Sequence, residues 1–157
     1  MRHSLMVIAV ACCLSCGGAR AVTASAGDLR GNGGVCTSYF FGLFRPIIVA
    51  CAQVGSPGTL NDDGKTPMLV VKTIADSFEH ANSGNWQLTV TDASGKQLLR
   101  QMLERRIHDV GACTQYNCIK QSVDVVQVPT WDAGVYNLRF VRAFDTSLVA
   151  EMQLTIL

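Results

Sequence analysis

Hydrophobic and polar residues alternate most regularly over Val135 to Val141. Tyr136, Leu138 and Phe140 fall on one face, with Val135, Asn137, Arg139 and Val141 on the other. That period of two marks a strand with one buried face. The same period recurs near the C-terminus, where Leu148, Ala150, Met152, Leu154 and Ile156 point one way and Glu151, Gln153 and Thr155 the other. Trp86, Leu88 and Val90 alternate with Gln87, Thr89 and Thr91, and Asp92-Ala93-Ser94-Gly95 closes that strand with a tight turn. Over Ile119 to Val128, Val123 and Val125 alternate with Ser122 and Asp124 until Pro129 ends the run. Met68 to Ile74 is almost continuously apolar, which predicts a central strand buried on both faces.

Two further stretches need arbitration. Tyr39 to Phe44 and Ile47 to Cys51 are apolar runs split by Arg45-Pro46, and proline bars one continuous central strand, so two short strands are predicted. Their aromatic residues are assigned to the core in preference to an exposed binding patch. Leu98, Leu99, Met102, Leu103 and Ile107 fit one helical face, but the hairpin signal around Cys113 favours a strand over 97–107. Seven or eight strands without a convincing helix predict an all-β, antiparallel sandwich spanning 35–157.

The segment Asp132-Ala133-Gly134-Val135-Tyr136 resembles the tyrosine corner of immunoglobulin-like domains. The resemblance implies that Tyr136 begins a late strand and that its hydroxyl bonds back to nearby backbone. Leu138 stands where antibody-type domains carry their second inter-sheet cysteine, so the likeness is to the broad immunoglobulin-like β-sandwich superfamily. Trp86 is a candidate for the buried tryptophan of such a core. Ser94-Gly95-Lys96-Gln97 and Ala133 to Phe140 are also similar to two segments of the translocon-associated protein delta subunit, another immunoglobulin-like domain. That likeness implies a lumenal subunit of a secretory complex. The chain departs from it in the closer spacing of Cys36 and Cys51 and in having no membrane helix before Leu157.

The N-terminus reads as an export signal. Met1-Arg2-His3-Ser4 is a short positive region and Leu5 to Leu14 an apolar run, followed by the small-x-small sequence Ala24-Ser25-Ala26. Cleavage there assigns 1–26 to a signal peptide and 27–34 to a flexible, glycine-rich leader. A cut after Ala19-Arg20-Ala21 is the alternative, and Leu14-Ser15-Cys16-Gly17 offers a third outcome, a lipid anchor on Cys16. Secreted or periplasmic localisation is expected, with an outer-membrane lipoprotein as the alternative.

Export changes how the cysteines are read. Cys36, Cys51, Cys113 and Cys118 form an even set in an oxidising compartment, and three pairings are formally open. Cys113 to Cys118 spans an expected hairpin tip, which favours that bridge and leaves Cys36 to Cys51. Closing loops of these lengths stabilises by about 2 and about 3 kcal/mol respectively on the chain-entropy model. The same four residues lack the CxxC spacing of a zinc site.

Composition narrows the function further. With 157 residues and a net charge of +1, the chain suits one domain and gives no electrostatic reason to expect nucleic acid. Its apolar runs fall short of the roughly 20 residues of a transmembrane helix. Gly58 to Thr66 departs from the phosphate-loop spacing by one residue and carries two aspartates that repel phosphate. Glu79-His80 lies in a polar loop and His108-Asp109 beside Arg105-Arg106, each read as a solvated histidine, and neither G-x-S-x-G nor H-E-x-x-H occurs. Arg100, Arg105 and Arg106 form a basic run interrupted by Glu104. No catalytic residue, metal or cofactor is therefore expected. The expectation is a non-enzymatic binding or assembly module of the envelope or exterior, acting on a protein partner through loops or strand edges. Tyr116, in the Cys113 hairpin, and Trp131 are the candidate contacts, the alternative for Trp131 being that it covers the core. A small secreted enzyme inhibitor is a further alternative.

Overall fold

Residues 24–29, 34–42, 46–55, 66–75, 86–103, 107–113, 118–146 and 148–157 are described by the structure, a computed structural model, with backbone alone over 107–113 and 118–120. They form ten strands: β1 (Ala24–Gly27), β2 (Val35–Phe40), β3 (Ile47–Val54), β4 (Pro67–Ala75), β5 (Trp86–Asp92), β6 (Gln97–Met102), β7 (Ile107–Cys113), β8 (Cys118–Gln127), β9 (Gly134–Arg142) and β10 (Val149–Ile156). No helix occurs among the described residues. Sheet I has the order β1-β10-β9-β5-β6 and sheet II the order β2-β3-β4-β8-β7. Every pairing is antiparallel except β1 with β10.

The two sheets share one core. Sheet I contributes Trp86, Leu88, Val90, Tyr136, Leu138, Phe140, Met152 and Leu154; sheet II contributes Val35, Tyr39, Ile48, Leu69, Val71 and Val126. The all-β, two-layer expectation holds. Its count of seven or eight strands does not: β1 lies upstream of every predicted strand, and the stretch from Gln97 to Cys113 divides into β6 and β7. The ambiguous leucines of 97–107 form a strand because β5 offers an edge to pair with. Thr89 lies opposite Arg100 and Val90 opposite Leu99, while Leu103 N–H continues the ladder to the Trp86 carbonyl at 2.9 Å. Tertiary pairing overrides the helical pattern here.

The polarity of β8 runs opposite to a simple reading of its alternation. Ser122 and Asp124 face inward and are buried, whereas Val125 is 44 % exposed on the outer side. Register explains the choice: Thr73 is paired with Ser122, Val71 with Asp124 and Leu69 with Val126, so β8 presents inward whatever faces the inner row of β4. The hydroxyls of Thr73 and Ser122 meet no hydrogen-bond partner among the described residues. Nor is β4 buried on both faces throughout, since Lys72 is exposed at its centre.

Among the described residues, turns and the Cys36–Cys51 disulfide hold strands in register. Cys36 and Cys51 are direct partners across β2 and β3 and are bridged. Cys113 and Cys118 are likewise register partners across β7 and β8. At the β5–β6 turn, the Asp92 carboxylate accepts from Ser94 N–H at 2.9 Å, Ser94 hydroxyl at 2.6 Å and Lys96 N–H at 3.0 Å. Gly95 at φ +81° completes the turn in a conformation other residues resist. These bonds, led by the Ser94 hydroxyl, hold the Asp92 carboxyl below its ordinary value of 3.8.

Two stability experiments follow from this packing. A depressed carboxyl contributes stability that is complete above its unfolded value and lost as pH falls through the folded one. Thermal melts below pH 4 are expected to fall less steeply in Asp92→Asn than in the parent chain, and parallel curves would contradict that role. Thr73→Val and Ser122→Ala remove buried hydroxyls that have no partner among the described residues, so each should leave unfolding free energy unchanged or raised by up to about 1 kcal/mol in urea titrations.

Candidate functional site

A strand that buries one face must show the other, and the two sheets show opposite chemistry. On sheet I, the outer rows are polar. Thr89, Arg139 and Glu151 are aligned across β5, β9 and β10, as are Thr91, Asn137 and Gln153. Arg139 pairs with Glu151 at 3.3 Å, Gln153 donates to Asn137 at 3.1 Å and Arg100 donates to Gln87 at 3.1 Å. Thr89, Thr91, Asn137, Arg139, Glu151 and Gln153 line a depression of about 390 Å³. Its side chains largely satisfy one another, and an ion pair this exposed stabilises little.

Sheet II is different. Its outer rows read Phe40, Ile47, Ile74 and Gln121; Ser38, Val49, Lys72 and Val123; and Cys36, Cys51, Val70 and Val125. Phe40 and Val125 are each 44 % exposed at opposite margins, and Lys72 is exposed between them. Among the described residues, the result is an apolar sheet face with one cation near its middle and a disulfide along one row. Continuous apolar segments in β3 and β4 were the sequence signal for it, but they are equally the signal of burial on both faces. The aromatic run of 39–44 divides accordingly. Tyr39 and Phe41 turn inward, with ring centroids 4.8 Å apart, and Phe41 lies 5.5 Å from Trp86, while Phe40 turns outward.

Trp131 occupies the core. It is 6 % exposed, its indole N–H donates to the Met68 carbonyl at 2.9 Å, and its ring meets Tyr136 edge-on at 4.8 Å. The geometry fits the alternative in which Trp131 covers the core, because a ring this committed has little surface to offer a partner. Tyr136 closes the same corner by donating its hydroxyl to the Asp132 carbonyl at 2.9 Å. Burial, reinforced by the negative charge of Asp132, raises the Tyr136 phenol above its ordinary value.

The remaining sequence candidates separate by location. Tyr116, His80, Arg105 and Arg106 lie outside the described residues, as does the His108 side chain. Arg100 is exposed on edge strand β6 and bonded to Gln87, so it stands apart from the outer face of sheet II. Among the described residues, no three His, Cys, Asp or Glu side chains are grouped to hold a metal, and no helix is long and apolar enough to cross a membrane.

Trp131→Ala is expected to cost about 3–5 kcal/mol of folding stability, and Tyr136→Phe about 1 kcal/mol, both read by urea unfolding. A Trp131→Ala protein as stable as its parent would place the ring outside the core. The chain matches no protein-family model, no curated protein and no solved structure.

Proposed function

We propose that the chain is an exported, non-enzymatic binding or assembly module that docks a protein partner on the outer face of sheet II. The observation that carries this reading is the contrast between the two outer faces. Sheet I covers its outside with self-satisfied polar groups, whereas sheet II leaves Phe40, Ile47, Val49, Val123 and Val125 around the exposed ammonium of Lys72. Exposed apolar area of this kind is characteristic of protein interfaces. The fitting partner presents an apolar surface with a carboxylate opposite Lys72. Export is supported by the leader pattern and by the Cys36–Cys51 bridge, which belongs in an oxidising compartment.

The sandwich is proposed to be of the immunoglobulin type. In that nomenclature β3, β4, β8 and β7 stand as A, B, E and D, and β10, β9, β5 and β6 as G, F, C and C′. Fully buried Trp86 on β5 and the Tyr136 hydroxyl bond at the start of β9 support the assignment, since both occupy hallmark positions of that fold. β1 and β2 are then additions to a familiar frame.

The test is capture from an envelope extract of the native host with tagged protein. Phe40→Ser combined with Val125→Ser should weaken capture at least about tenfold, and Lys72→Glu should weaken it independently, with far-UV circular dichroism unchanged. Thr89→Ala with Gln153→Ala, on the opposite face, should leave capture intact. Equal capture by all variants would remove sheet II from the interaction.

A further inference from the structure

The segment read as the end of the signal peptide and the first residue of the leader forms part of the fold. Ala24, Ser25, Ala26 and Gly27 pair in parallel with Gln153, Leu154, Thr155 and Ile156 of β10, and Leu157 N–H donates to the Gly27 carbonyl at 3.0 Å. β1 also lies against β2, where a Cβ on Gly27 would stand 3.4 Å from Val35 Cγ2. Leu29, just beyond it, packs on the core. Cleavage after Ala26 removes three of the four β1 residues. The edge of β10 is then left without its ladder, over a stretch whose Leu154 and Ile156 are buried. An open edge of unpaired N–H and C=O groups is the feature that exported β proteins have most reason to cover.

Two Ala-x-Ala sequences follow the apolar run, and only one of them spares β1. Ala19-Arg20-Ala21 ends seven residues after Leu14, the last residue of the apolar run, whereas Ala24-Ser25-Ala26 ends twelve after it. We infer that the export peptidase cuts between Ala21 and Val22, so that Ala24–Gly27 is retained as the edge strand of the mature domain. In that step water adds across the Ala21–Val22 peptide bond, leaving a carboxylate on Ala21 and a free α-amine on Val22. The inference rests on the export reading above and adds to it the identity of the processing site. It also assigns β1 a structural task, which is to cap sheet I at β10.

The full chain, expressed with its own leader in an exporting host, tests this by intact mass under reducing conditions and by N-terminal sequencing of the exported product. The expected first residue is Val22. Ala26→Leu should leave that terminus unchanged, because Ala26 is exposed on β1, whereas Ala21→Leu should abolish or displace cleavage. Independently, a chain beginning at Gly27 should melt several degrees below one beginning at Val22. An exported product beginning at Gly27, an acylated Cys16 or equal melting of the two forms overturns the inference while leaving export intact. Unprocessed protein retained inside the cell overturns both.

Discussion

Alternation leaves a strand two faces and no third, so what one face buries decides what the other displays. In sheet II this constraint sets the character of the molecule. Ser122 and Asp124 stand opposite Thr73 and Val71 on the inner rows, and their burial turns Val123 and Val125 outward. The same parity sends Tyr39 and Phe41 into the core and Phe40 out. An apolar exterior thus arises as the reverse side of a partly polar interior. In sheet I, Leu138 and Phe140 inside require Asn137 and Arg139 outside, and the face that results is hydrophilic.

The corner between β8 and β9 joins the two sheets and fixes their relation. Trp131 reaches from the crossover to the Met68 carbonyl at the start of β4, and Tyr136 reaches back from β9 to Asp132. The Trp131 bond is buried and the Tyr136 bond part-buried, and the two rings that make them pack edge-on. The corner therefore sets where β9 begins. Trp86 and Phe41 fill the core between the sheets farther along β5, beside the buried Arg142 that is the register partner of Trp86.

Edges receive unequal treatment. β10 is covered by β1, a four-residue strand whose side chains contribute little burial and whose value lies in its backbone bonds. β6 closes the other side of sheet I with Arg100 exposed and Met102 43 % exposed. A charged side chain on a short edge strand discourages pairing with another chain. Sheet II combines the covalent tie between β2 and β3 with the most apolar outer surface, so the face proposed to bind is also held in shape by the disulfide.

The sequence by itself determined the strand class, most strand positions and which residues of β5, β9 and β10 face inward, because side-chain parity is a local property of an extended chain. It also determined the Asp92 turn, whose carboxylate, hydroxyl and glycine lie within four residues of one another. Tertiary structure alone decided the rest. Helical spacing in Leu98 to Leu103 was equally valid locally until β5 supplied a pairing edge. The alternation of β8 was legible, but its direction was not, because inward and outward are defined only by the strand beside it. Nor does local pattern distinguish a tryptophan that anchors a partner from one that reaches a carbonyl 63 positions away. β1 escaped for the same reason: four small residues carry no hydrophobic signal, and only the edge of β10 makes them a strand.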